Sequence, residues 1–288
     1  MSASSPLFRF IQVELPWQLG PPDGRYLLRD GAGPDGTPTH IVVFATLGAP
    51  ERRRLTARRR TREAEPAPEP TPVATGRATV IDSRHPLATE AEARAWLAGA
   101  GERELDAGLS VLNRALHAFR VVTADPYLHT IDRRQAIVTR LGFGAGEQVA
   151  DGLWSDARAL DLSEGRRRRS RILAPQARLA AVLGARELPL ACEELTLRAR
   201  LDLDQGRERE AALQLLVTLD AALAELAVDP HAEELAERLT ELRGQRDAAA
   251  AAAQAALSGS LDDAQRQTVA FTLGRIEAVL RARAAANA

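Results

Sequence analysis

The sequence predicts a mainly α protein, α+β overall. It should combine a small N-terminal antiparallel β-sheet with a helical body that ends in long antiparallel helical hairpins. Three observations carry this. The clearest strand-like runs fall in residues 7–47 and 77–82. From Thr89 onward apolar residues recur at steps of three and four, the period of a helix. Only 4% of the chain is aromatic, while alanine and leucine are used heavily, which favours helix over sheet.

In Leu7–Leu15, Ile11, Val13 and Leu15 alternate with Gln12 and Glu14, as in a half-buried strand that stops at Pro16. Gly20–Gly24 reads as a turn, Arg25–Arg29 as a second short strand and Gly31–Pro38 as a turn-rich loop. Thr39–Leu47 is β-branched and apolar, the best strand in the chain, and Arg77–Asp82 supplies a possible fourth. So few strands need a helix on one face. Glu102–Val122 is the natural partner, because Leu105, Leu109, Leu112, Leu116 and Phe119 stack in one stripe.

Before that helix, Thr89 and Glu92 form a capping-box pattern. After it, Asp125-Pro126 suits the start of a helix running toward Leu141 with Gly142 as its stop, whereas Ala136–Phe143 equally fits a strand. Gly146–Leu160 is expected to be helical, and Pro175–Leu183 a short helix. Glu187–Asp204 carries two apolar stripes, Leu190, Leu197, Leu201 and Cys192, Leu195, Leu203, as a helix between two neighbours would. The next helix has a seam at Ala212, Leu216, Leu219, Leu223 and Leu226. Asp229-Pro230 restarts the chain, and Leu235, Leu239 and Leu242 lead into polyalanine, with Arg246 breaking the stripe. Ser260 and Asp263 resemble a capping box before a last seam at Val269, Leu273, Ile276 and Leu280.

Four regions are therefore expected: a sheet at 1–48, a mobile linker at 49–75, a central helical region at 76–186 and a helical bundle at 187–288. The linker is first Arg-rich and then Pro- and Glu-rich, and neither half can bury a core. The hairpin around Gly206, with Glu210-Ala211, resembles a tetratricopeptide-type unit. The resemblance covers one hairpin only: no period of about 34 residues recurs, and Pro230 falls too late for the repeat's terminal proline.

All 38 basic residues are arginine, which excludes a Schiff-base lysine, a P-loop lysine and a lysine general base. The net charge of −1 gives no overall pull toward nucleic acid or anionic membrane. Cys192 is the single cysteine, so no internal disulfide or cysteine zinc cage can form. No secretory signal or membrane span is visible, and a cytoplasmic location is expected.

For chemistry, the central helix places Asp106, Asn113, His117 and Arg120 along one flank of its apolar stripe, with His129 and Asp132 close in sequence. A histidine among carboxylates can act as a base or a metal ligand, although neither HxxxH nor HExxH occurs; a solvated polar edge is the simpler reading. The glycines of Gly142–Gly146 lack the dinucleotide fingerprint and read as a helix stop and tight turn. No GxSxG elbow is present, and Cys192 lies on an apolar helical face. Two arginine runs could contact anions: Arg52, Arg53, Arg54, Arg58, Arg59, Arg60 and Arg62, then Arg166, Arg167, Arg168 and Arg169. They lack interleaved aromatics for base stacking. The expectation is a non-catalytic scaffold or interaction protein, without a cofactor or metal, that binds a protein partner or a second copy of itself. A nucleic-acid accessory role through the arginine runs comes second, and an enzyme or small-molecule site near His117 and residues 125–147 third.

Overall fold

The computed structural model describes residues 6–29, 36–48, 74–160 and 175–286. It divides into two compact units, Met1–Arg168 and Arg169–Ala288. The first joins what the sequence suggested as separate sheet and central helical regions.

In the first unit, six strands form one antiparallel sheet: β1 (Phe8–Leu15), β2 (Gly24–Arg29), β3 (Pro38–Leu47), β4 (Thr75–Asp82), β5 (Val138–Gly144) and β6 (Asp156–Ala159). Their order is β2-β3-β4-β1-β5-β6, so β1 is central, paired with β4 on one side and β5 on the other. Helices α1 (Glu90–Gly99) and α2 (Glu102–Thr123) lie between β4 and β5 in the chain.

The period-two alternation decides which residues meet the helices. Ile11, Val13 and Leu15 of β1, Val42 and Phe44 of β3 and Ala78 and Val80 of β4 pack with Leu105, Leu109, Leu112 and Leu116 of α2. At the closest approach α2 carries Gly108, where a Cβ would stand 2.4 Å from Ile11 Cγ1. Thr89 caps α1 by accepting from the Glu92 N–H. At the far end of α1, Arg158 of β6 donates to the Leu97 and Ala100 carbonyls, a cation on the negative pole of the helix.

The opposite sheet face is also covered. Phe10, Val43 and Ile81 bury against Val149 and Ala150 of the 3₁₀ turn Glu147–Asp151, with Trp154 stacked on Phe10 at 5.7 Å. Gln12, read as a solvent-facing strand residue, is fully buried under this second layer. Its amide donates to Thr79 Oγ1 at 3.0 Å and its oxygen accepts from Arg140 at 3.1 Å.

Two helices suggested by sequence are absent. Asp125-Pro126 makes a turn in which Asp125 accepts from the Tyr127 N–H, and no helix follows to Leu141. The chain instead extends along the edge of β1, with the Ile137 N–H donating to the Glu14 carbonyl before β5 begins. Long-range pairing overrides local ambiguity here. Gly142 is consequently a strand residue and not a helix stop: a Cβ there would meet the Phe10 ring and Ala157 Cβ, so glycine serves close packing. Gly146, at φ 99°, does form a turn. The expected helix at 146–160 is the 3₁₀ turn followed by β6.

The second unit is helical: α3 (Pro175–Leu183), α4 (Ala191–Asp204), α5 (Glu208–Leu226), α6 (Ala236–Gly244), α7 (Arg246–Ser258) and α8 (Asp263–Ala286). Helices α4 and α5 form the hairpin expected at Gly206, which adopts φ 70°. Leu215, Leu219, Leu226, Leu239, Leu242, Leu273 and Ile276 fill the core with Ala249, Ala252 and Ala256, whose small side chains let α7 approach α5 closely. Charged groups tie the ends together. Arg283 of α8 donates to Asp229 at 2.6 Å and lies 3.4 Å from Glu193, while Arg178 pairs with Glu187 and Glu193. Glu225 accepts from the Ala191 and Cys192 N–H groups and so caps α4 from a neighbouring helix.

Three details differ from the sequence reading. The cap of α8 is the reciprocal pair Asp262/Gln265, two residues on from the suggested Ser260/Asp263. Arg246 turns outward to Asp220 and starts α7. The stripe Leu190, Leu197, Leu201 does not bury α4 on a second side, because α4 packs through Cys192, Thr196 and Ala199, with Leu190 and Leu203 partly buried against the same core, while Leu197 and Leu201 face outward.

Candidate functional site

Of the residues on the flank of α2, the structure ties two, Asn113 and Asp106, to the loop that carries Asp132. Asn113 is buried and pairs with both backbone groups of Ile131. Asp106 lies 3.3 Å from Arg133, which also donates to Glu102 at 2.6 Å. Asp132 caps the 3₁₀ turn Arg133–Gln135 by accepting from the Arg134 N–H. These bonds hold the 124–137 segment against α2, and each uses the group that chemistry would need. His117 is half-buried on α2, whereas Arg120 and His129 are exposed. The arginine runs at 52–62 and 166–169 lie outside the described residues.

A different part of the first unit is concave. A cleft of about 290 Å³ opens between the helix-facing side of the sheet and α1 and α2. Arg9 and Ile11 of β1, His40 of β3 and Val80 and Asp82 of β4 line its floor; Trp96, Glu104, Ala107, Gly108 and Val111 line its helical wall. Strand register explains the grouping. His40 is opposite Asp82 in the β3–β4 ladder, and Arg9 stands one residue beyond the Phe10–Ile81 pair of β1 and β4.

The Arg9 guanidinium stacks over the Trp96 ring at 5.6 Å, and its Nε is buried without a hydrogen-bond partner. Burial pushes His40 below the ordinary imidazole range; Asp82 opposes this, and Arg114 and His85 add to it. Both acids in the lining already have partners. Glu104 accepts from the Gly101 N–H at 2.7 Å and from Arg103, which together hold its carboxyl below the usual range. Asp82 accepts from the Arg84 and His85 N–H groups.

A second polar group lies on the other sheet face. Glu14 accepts from Arg77 at 3.0 Å and from Arg140 at 2.8 Å through one oxygen. Burial works to raise its pKa, yet the two arginines outweigh this and the carboxyl is held below its ordinary value. This is an ion cluster with mutually satisfied members, suited to holding β1, β4 and β5 in register.

The second unit contributes exposed apolar side chains. Leu197 and Leu201 of α4 are 66% and 41% exposed, and Leu213 and Val217 of α5 are 37% and 56% exposed. Each pair is one helical turn apart on the outer side of its helix, at similar distances from the Gly206 turn. No signal short of the contact pattern separates these leucines from core ones. The cleft residues were missed for a related reason, since Arg9, His40 and Asp82 meet only through strand register.

Among the described residues no cluster of three or more His, Cys, Asp or Glu side chains could hold a metal, and no helix is long and apolar enough to cross a membrane. No family model, curated protein or solved structure matches the chain.

Proposed function

We propose that this is a non-catalytic interaction protein whose C-terminal helical unit docks a second copy of the chain through the outer side of the α4–α5 hairpin. One observation carries the reading. Leu197, Leu201, Leu213 and Val217 are exposed on the two packed helices of one hairpin, two on each helix. Burying a fully exposed leucine or valine contributes about 1.5–3 kcal/mol, so covering these four part-exposed side chains contributes a fraction of that at each and favours association.

The test is a variant pair measured by light scattering. Leu197→Glu with Val217→Glu should convert a self-associating chain into a monomer while leaving its helical circular dichroism intact. His117→Ala should leave association unchanged. If the double variant associates as the unaltered chain does, the hairpin is not the docking surface.

The arginines of 52–62 and 166–171 support a second reading, contact with a nucleic-acid backbone. Its signature is binding to non-specific DNA that weakens steeply with salt and disappears when Arg52–Arg62 is neutralised.

A further inference from the structure

We infer that the cleft between the sheet and helices α1 and α2 is a binding site for a small apolar carboxylic acid, such as an arylacetate or a medium-chain fatty acid. This inference does not depend on the helical docking surface and lies in the other unit.

Ile11, Val80, Val111 and the ring of Trp96 give the cleft a mainly apolar lining, and its volume of about 290 Å³ falls at the small end of ligand sites. Such walls favour a hydrocarbon or aromatic body over a sugar or nucleotide. One strong donor remains open. Arg9 Nε is buried and unpartnered, and the guanidinium lies over the Trp96 ring, its Cζ 5.6 Å from the centroid. A buried donor without an acceptor costs about 1–3 kcal/mol, and a carboxylate is the acceptor that suits a guanidinium best.

The acids of the lining do not fill this role. Glu104 is bound by the Gly101 N–H and by Arg103, and Asp82 by two backbone N–H groups. His40, held neutral by burial, adds a polar edge without a second charge. The lining thus holds one arginine with an unpartnered donor, beside two carboxylates already held by their own partners, in mainly apolar surroundings. The unpartnered donor suits a monoanion with an apolar body.

The experiment is a titration of the full chain with phenylacetate, octanoate, benzyl alcohol and benzylamine, followed through the tryptophan indole N–H signals by NMR. Trp96 is identified among the chain's three tryptophans by Trp96→Phe. Phenylacetate and octanoate should shift the Trp96 signal saturably, whereas benzylamine should not. Arg9→Gln should weaken phenylacetate about tenfold or more, the value of one charge-assisted hydrogen bond. Because Arg9→Gln also removes the stacking on Trp96, a second variant guards the test. Ala107→Phe, at the exposed rim of α2, keeps Arg9 and fills the cleft; it should abolish binding in a chain with unchanged signal dispersion. Three results would each overturn the inference: no saturable Trp96 shift with millimolar phenylacetate, equal binding of benzyl alcohol with no effect of Arg9→Gln, or full binding by a folded Ala107→Phe chain.

Discussion

The carboxamide of Asn113 pairs with the backbone of Ile131 as a peptide group would, donating to its carbonyl at 2.9 Å and accepting from its N–H at 2.7 Å. Asn113 is buried on α2 and Ile131 is buried in the loop that leads to β5. The bond pair therefore satisfies a loop backbone that no regular element could serve. Replacing Asn113 by Ala strands both groups, and the expected loss is about 2–4 kcal/mol in urea unfolding. Asn113→Asp, which sets a buried carboxylate oxygen against the Ile131 carbonyl, should cost at least as much as Ala. A change under about 0.5 kcal/mol for Ala would show that water replaces the carboxamide without loss.

Gly108 sits where α2 touches β1. Alanine is the better helix former by about 1 kcal/mol, so Gly108→Ala would stabilise an open helix surface. Here its Cβ would stand 2.4 Å from Ile11 Cγ1 and 2.6 Å from Cδ1. Overpacking should win, destabilising the chain by about 1–3 kcal/mol in chemical denaturation. Combining it with Ile11→Ala should give a clearly non-additive cycle, because the second change removes the clashing atoms.

Cys192 is buried, and burial together with a hydrogen bond to Glu225 pushes its thiol up to about 12. The reactive thiolate is therefore scarce near neutral pH. The folded chain should react negligibly with an aromatic disulfide reagent at pH 8, and stoichiometrically once urea unfolds it. Rapid reaction of the folded chain would mean that the N-terminus of α4 opens.

Glu14 carries an acid-stability prediction with a definite sign. Its burial raises the pKa, but hydrogen bonds and charge from Arg140 and Arg77 bring the folded value below the ordinary 4.5. A carboxyl depressed in the folded state contributes stability that is present above its unfolded pKa and lost as pH falls through the folded one. Unfolding followed from pH 6 downward should show this loss below about pH 4.5, and Glu14→Gln should flatten that part of the profile. Identical profiles would place the acid sensitivity elsewhere, for example at Asp229 or Glu225, which are depressed too.

Much of this architecture is legible where the signal is local. The stripe of α2, the hairpin at Gly206 and the strands β1, β3 and β4 follow from period and turn chemistry alone. Strand β5 does not, because Ala136–Phe143 is a short apolar run whose state is set by the free edge of β1. The orientation of α4 is also unreadable: both of its leucine stripes look alike until packing selects Cys192, Thr196 and Ala199. The flank of α2 was read as chemistry, and Asn113, Asp106 and Asp132 are used in backbone and ion-pair ties. Arg9 and His40 gave a faint hint, each a polar residue on the same strand face as core apolar ones. Only the register of three strands shows that they share a cleft.

The most direct test of the docking surface is the molar mass of the unaltered chain by sedimentation equilibrium, across concentrations spanning the micromolar range. The account predicts a mass that rises from 31.1 kDa toward that of two chains, and no such rise after Leu197→Glu with Val217→Glu. A mass that stays at 31.1 kDa at every concentration would contradict it.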